Sequence, residues 1–146
     1  MRAIDKSPVH GSAVAGFGRG VLILGPSGSG KSSLALHLLS LGADLVADDQ
    51  VNLTKGDTSI TMSAPASIAN RIESRQFGLL SVPGGQATLS MVVDLARPSA
   101  ARLPESQKIN ILSQEYPLIN GKDVPNLAPS LWLCLKFGRP IVNTSL

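Results

Sequence analysis

The chain has 146 residues, 43% hydrophobic and 16% charged, which suits one domain covering 1–146 with a core that needs no disulfide staples. Thirteen Lys and Arg against ten Asp and Glu give a formal net charge of +3, and the absence of a basic run with interleaved aromatics argues against nucleic-acid binding. The single cysteine, Cys134, excludes an internal disulfide. With no apolar stretch of about 18 residues and no signal-peptide order at the N-terminus, a soluble cytoplasmic protein without a membrane partner is expected.

Aromatics make up 3% of the residues, so aliphatic side chains and alanine must build the core. In chain order, Val9 to Ala15 alternates weakly as a strand does, and Gly16 to Gly20 supplies a turn. Val21-Leu22-Ile23-Leu24 is a continuous apolar run of buried-strand type. A helix over Lys31 to Leu41 follows from Leu34, Leu38 and Leu41 at helical spacing, with Gly42 at its C-cap. Asp44 to Asp48 returns as a strand. Val51–Leu53 and Ser59–Met62 flank the hairpin-like turn Lys55-Gly56-Asp57. Pro65 to Ile72 reads as a short helix, with Pro65 tolerated in the first turn. Gly78–Val82 and Ala87–Leu95 are predicted strands around Pro83-Gly84-Gly85, and the polar, proline-bearing stretch Arg97 to Gln107 reads as a mobile loop. Asn110 to Ile119 is ambiguous. Asn126 to Phe137 is a final helix, and the tail Arg139 to Leu146 carries no signal. His37 reads as a packed or half-exposed helix residue. Trp132 and Cys134 read as core or subunit contact.

Gly25-Pro26-Ser27-Gly28-Ser29-Gly30-Lys31-Ser32 meets the phosphate-binding pattern G-x-x-x-x-G-K-[ST]. The setting fits too, because an apolar strand leads in and an amphipathic helix leads out. Glycines let backbone N–H groups converge on phosphates, and the helix N-terminus adds its positive dipole end. Lys31 can bridge the β- and γ-phosphates, and the Ser32 hydroxyl can ligate Mg²⁺. The loop does not reveal what receives the phosphate.

Asp48 and Asp49 follow Lys31 by only seventeen and eighteen positions. A helix of about eleven residues spans roughly 16 Å, enough for one crossover that returns the chain beside the first strand. The strand's carboxyl end then lies next to the loop. One carboxylate there can face a metal and the other can accept a proton from an acceptor hydroxyl. An Asx turn leading into Gln50 is the plainer alternative. Glu73 and Arg75 would share a face if they lie on a strand; they either line the mouth of the site or form a solvated ion pair. By itself His10 reads as structural and Arg102 as a solvated arginine; a bond to a phosphate or acidic partner and stabilisation of developing charge are their functional alternatives.

Together, Val9-His10-Gly11, the loop with its strand, Leu45-Val46-Ala47-Asp48-Asp49, and Ile72-Glu73-Ser74-Arg75-Gln76-Phe77-Gly78-Leu79-Leu80 resemble the catalytic domain of bifunctional HPr kinase/phosphorylase. The resemblance spans about Val9 to Phe137. It implies an α/β fold with a P-loop nucleotide-binding core and a mixed sheet, similar to the HPr kinase/phosphoenolpyruvate carboxykinase-like fold. It implies ATP and Mg²⁺ as cofactors, phosphorylation of a serine on the phosphocarrier protein HPr, and, in many members, removal of that phosphate by phosphorolysis. By resemblance, Asp48 is the base, Asp49 a Mg²⁺-associated carboxylate and Glu73 a further acidic metal-site residue. His10, Lys31 and Arg102 are catalytic, and Gly25 through Ser33 bind the nucleotide.

Two features depart from the family pattern. Gln76 stands where the signature has glycine. The chain starts shortly before His10, so the non-catalytic N-terminal domain of long members is expected to be missing. Long members form hexamers through the catalytic domain, so a homo-oligomer is implied. A small-metabolite kinase and a non-catalytic, nucleotide-dependent binding module remain the alternatives.

Overall fold

The computed structural model describes residues 2–99, 101–102 and 104–138. Arg139 to Leu146, which carry no sequence signal, lie outside the described residues. The elements are β1 (Arg2–Ile4), β2 (Val9–His10), β3 (Ser12–Gly16), β4 (Arg19–Leu24), α1 (Lys31–Leu41), β5 (Asp44–Ala47), β6 (Gln50–Lys55), β7 (Ile60–Ser63), β8 (Arg71–Ser74), β9 (Gly78–Ser81), β10 (Ala87–Pro98), β11 (Gln107–Ile111), β12 (Gln114–Lys122) and α2 (Leu127–Phe137). Among the described residues, ten strands form one mixed sheet whose main path runs β1-β11-β12-β10-β4-β3-β5. β4 is parallel to β10, and β10 to β12, whereas β3 is antiparallel to both β4 and β5. The start of β10 also pairs with β7, and β7 with β6, so a second leaf folds over one face.

This arrangement explains the unbroken apolar run of β4. Leu22 and Leu24 pack towards the β6–β7 leaf with Val51, Leu53, Ile60 and Met62. Val21 and Ile23 point the other way, into a cluster with Ala35 and Leu38 of α1 and Leu131 and Leu135 of α2. A strand buried on both faces cannot alternate polar with apolar residues. The β3–β4 hairpin turns at Phe17 and Gly18, both with positive φ, as two-residue hairpin loops require. Gly16 and Gly42 both lie under the Trp132 ring, so the tryptophan locks α2 against that hairpin and the end of α1.

Helix α1 has the expected bounds and ends at Gly42, where φ is 121°. Helix α2 likewise ends at Gly138, where φ is 62°. Three expectations change. First, Pro65 to Ile72 is not a helix. A single 3₁₀ turn over Ala66–Ile68 is broken by extended Ala69 and left-handed Asn70, and Arg71 onward forms β8. Second, β5 does not return beside β4, because β3 lies between them. Third, the ambiguous stretch is the β11–β12 hairpin, turning at Leu112 and Ser113 with positive φ at both. In addition, β10 runs on to Pro98, which shortens the expected loop at its start.

Candidate active site

The loop Gly25 to Gly30 connects the carboxyl end of β4 to the N-terminus of α1. Gly25, Gly28 and Gly30 have φ of 150°, 83° and 99°, a region that L side chains enter at a cost. Pro26 and Ser29 close a turn through the Ser29 N–H and the Pro26 carbonyl at 3.1 Å. No side chain caps the N-terminus of α1, and no acidic residue occupies its first turn. The first N–H groups of the helix are therefore left to an anion, as the dipole there favours.

Lys31 is only 7% exposed. Its Nζ donates to the carbonyls of Gly25 at 2.9 Å and Pro26 at 3.0 Å, which keeps the ammonium folded against the loop. These are the bonds that an incoming phosphate would have to replace. Ser33 is exposed on the outer side of the first helical turn.

Strand β5 ends at Ala47, so both aspartates lie just beyond it. Because Ala13 of β3 pairs with Ala47, Ser12 falls opposite Asp48. The Ser12 hydroxyl, wholly buried, donates to Asp48 Oδ1 at 2.7 Å. The Ser32 hydroxyl donates to the same oxygen at 2.8 Å. Asp48 thus ties three elements together at the loop's edge: β3, β5 and the start of α1. Asp49 adopts a left-handed φ of 75°, and its side chain is 70% exposed. Its carbonyl accepts the Gly11 N–H at 3.1 Å and lies 3.1 Å from His10 Nδ1. His10 Nδ1 also stands 3.5 Å from Asp49 Oδ1. Gly11 is required here, since a Cβ would meet the Ile23 carbonyl at 2.7 Å.

The structure therefore joins Lys31, Ser32 and Asp48 around the loop, with Asp49 and His10 beside them. Ser12 belongs to this group and was missed from sequence; its only signal was a small polar residue following His10-Gly11 in an otherwise apolar strand. Glu73 and Arg75 do not share a strand face. Glu73 is exposed on β8 opposite Leu79, while Arg75 lies in the turn between β8 and β9. Buried Ile72 anchors this hairpin in the cluster under α1. Gln76, in the glycine position of the signature, takes the left-handed φ of 63° that glycine would accept freely. Among the described residues, no group of three or more His, Cys, Asp and Glu is close enough to hold a metal, so Glu73 does not join Asp48 and Asp49 in such a cluster. Arg102 is exposed on the segment that follows β10. Cys134 lies away from this chemistry on α2, where burial pushes its thiol up.

The oxygen donors Ser32 and Asp48 fit Mg²⁺, which takes few protein ligands and fills its octahedron with water and phosphate oxygens. The uncapped helix N-terminus and the positive-φ glycines fit a polyphosphate.

The family model for the HPr Serine kinase C-terminal domain matches residues 3–127. The chain belongs to this family. HPr kinase/phosphorylase of Caldanaerobacter subterraneus is 45% identical over 92 residues, 60% of this chain and 30% of the relative. HPr kinase/phosphorylase of Exiguobacterium is 34% identical over 133 residues, 82% of this chain and 43% of the relative. The chain thus spans less than half the length of these curated relatives. A solved structure described as the HPr(Ser) kinase/phosphatase from Coxiella burnetii superposes with a TM-score of 0.77 at 25% identity, covering 91% of this chain and 96% of that one.

Proposed function

We propose that this chain is an ATP- and Mg²⁺-dependent kinase that phosphorylates a serine of HPr. The observation that carries the reading is the shared acceptor Asp48 Oδ1, bonded to Ser32, with exposed Asp49 and His10 alongside the loop. The names of the relatives supply the acceptor protein.

The geometry supports exchanging the roles that resemblance assigned to the two aspartates. Asp48 accepts from two hydroxyls, one of them that of Ser32, which the loop pattern offers as a Mg²⁺ ligand, and this supports placing Asp48 on the metal side. Asp49 is open to solvent, as a base that must meet another protein's hydroxyl has to be. In the forward reaction, the Asp49 carboxylate accepts the proton of the acceptor serine. The serine oxygen bonds to the γ-phosphorus as the bond to the ADP oxygen breaks. His10 holds Asp49 in place through its backbone carbonyl and side chain. Lys31 leaves the Gly25 and Pro26 carbonyls and donates to phosphate oxygens, steadying the charge that builds there. Mg²⁺ held by Ser32 and Asp48 would neutralise phosphate charge. In the reverse direction, the base activates inorganic phosphate, which attacks phosphoserine and releases pyrophosphate and the free hydroxyl.

The test mixes the chain with HPr, Mg²⁺ and γ-labelled ATP. Label should pass to HPr, and Asp49→Asn should slow transfer at least about 100-fold, the lower range of general-base effects, with ATP binding retained. Asp48→Asn should instead raise the Mg²⁺ concentration needed for half-maximal rate. Bound ATP with no label on HPr would overturn the proposal. Label on a metabolite in place of HPr would favour a small-molecule kinase. Nucleotide binding without any transfer would favour a binding module.

A further inference from the structure

Among the described residues, three polar or charged side chains are buried: Ser12, Lys31 and Asp94. The first two belong to the site already described. Asp94, 1% exposed, has no part in the chemistry above. It stands at the carboxyl end of β10, in register with Leu24, the residue that precedes Gly25 and the phosphate loop. Val92 belongs to the cluster beneath the β6–β7 leaf, and Val93 and Leu95 to the cluster under α1. Alternation therefore puts Asp94 on the leaf face of the sheet. On the other face, Leu95 packs at the root of the loop, where a Cβ on Gly25 would meet Leu95 Cβ at 3.3 Å.

Both oxygens of Asp94 are engaged. Oδ1 accepts the Ala96 N–H at 2.8 Å, closing a turn where the pairing of β10 with β12 shifts register. Oδ2 forms an ion pair with Arg2 Nη2 at 2.5 Å, without hydrogen-bond alignment. Arg2 lies on β1, which β11 and β12 separate from β10. The leaf-face cluster around Leu24, Val92 and Ile109 is apolar, and well-packed apolar residues in place of a buried ion pair are often neutral or stabilising. Fold stability alone thus gives no reason for a carboxylate here. What Asp94 adds is a set direction for the chain at Leu95 and Ala96, because an apolar side chain accepts no N–H. We infer that Arg2 and Asp94 are positioning residues for the phosphate loop. Asp94 holds the turn that presents Leu95 to Gly25, and Arg2 fixes Asp94 from a strand far along the sheet. The inference rests on the phosphate-binding reading of the loop and adds two residues that act through the loop, not on the nucleotide.

The experiment measures amide exchange in the ligand-free protein, and ATP affinity by calorimetry, for wild type and Arg2→Ala. The Ser29 N–H, bonded to the Pro26 carbonyl inside the loop, and the Ala96 N–H should exchange at least fivefold faster in the variant. The Gly56 N–H, bonded to the Ser59 carbonyl in the turn between β6 and β7, should stay within twofold. ATP should bind at least fivefold more weakly. Millimolar guanidinium ion at matched ionic strength should restore the affinity, whereas urea, similar in shape and uncharged, should not. The double variant Arg2→Met with Asp94→Leu removes both charges together, which spares the fold the cost of one left unpaired; it should show the same loss of ATP affinity. Equal acceleration at Ser29, Ala96 and Gly56 would make the pair merely structural and overturn the inference, as would wild-type ATP affinity in either variant. Wild-type protein that binds no ATP would sink the nucleotide reading, and the exchange rates would still decide whether the pair holds the loop.

Discussion

Replacing Asp48 with alanine removes an acceptor that two hydroxyls share, and one of those hydroxyls has no route to water. Ser12 is wholly buried and donates to Asp48 Oδ1 at 2.7 Å, while Ser32 donates at 2.8 Å. A hydrogen bond to a charged group contributes about 1.5–3 kcal/mol, and a buried donor left unsatisfied costs about 1–3 kcal/mol. Asp48 is itself only partly buried, so the lower halves of these ranges apply. Asp48→Ala should then destabilise the fold by about 2–4 kcal/mol, and Ser12→Ala by about 1–2 kcal/mol because Asp48 keeps Ser32. The double variant should be less destabilised than the sum by about 1–2 kcal/mol, since it leaves no orphaned hydroxyl at position 12. Urea unfolding reads this directly: with a slope of about 2 kcal/mol per molar, each 2 kcal/mol moves the midpoint by about 1 M. Strict additivity of the two substitutions, within about 0.3 kcal/mol, would refute the idea that Ser12 positions Asp48.

Three further outcomes are expected. Lys31→Met should weaken ATP binding at least tenfold, about 1.4 kcal/mol; unaltered affinity would remove Lys31 from phosphate contact. Gly84→Ala should lower the thermal midpoint by several degrees, because its Cβ would collide with the Leu45 carbonyl oxygen and push the 82–86 segment off β5. Such overpacking costs about 1–3 kcal/mol, or roughly 2–4 °C per kcal/mol at this chain length, and a scan without a shift would contradict that close approach. Burial raises the Cys134 thiol above its ordinary value, so the folded state holds less thiolate than the unfolded chain near pH 8–9. Iodoacetamide should therefore label native protein more slowly than urea-unfolded protein, and the native rate should keep climbing at pH values where the unfolded rate levels off. Equal rates and equal pH profiles would count against it.

Much of the site was written in local order. Gly25 to Ser32 needs only its own glycines, a strand before it and a helix after it, and all three are properties of contiguous residues. Helix α1, Lys31–Leu41 with Gly42 as its C-cap, was equally legible because leucines at helical spacing and a terminal glycine act within one segment. Two things were not local. Pro65 to Ile72 looked helical, yet Ile72 is needed as a buried anchor beneath α1, and Asn70 turns the chain so that β8 can supply it. The pairing of β5 with β3 rather than β4 was also invisible in sequence, because strand order is settled by which faces can be buried together. That order puts Ser12 opposite Asp48, joins Asp48 to Ser32, and leaves Asp49 in the open beside His10. From the sequence alone came a phosphate cradle followed by two carboxylates. Only the tertiary structure distinguished the carboxylate held between two hydroxyls from the one exposed beside His10, because burial and hydrogen-bond partners come from strands distant in sequence.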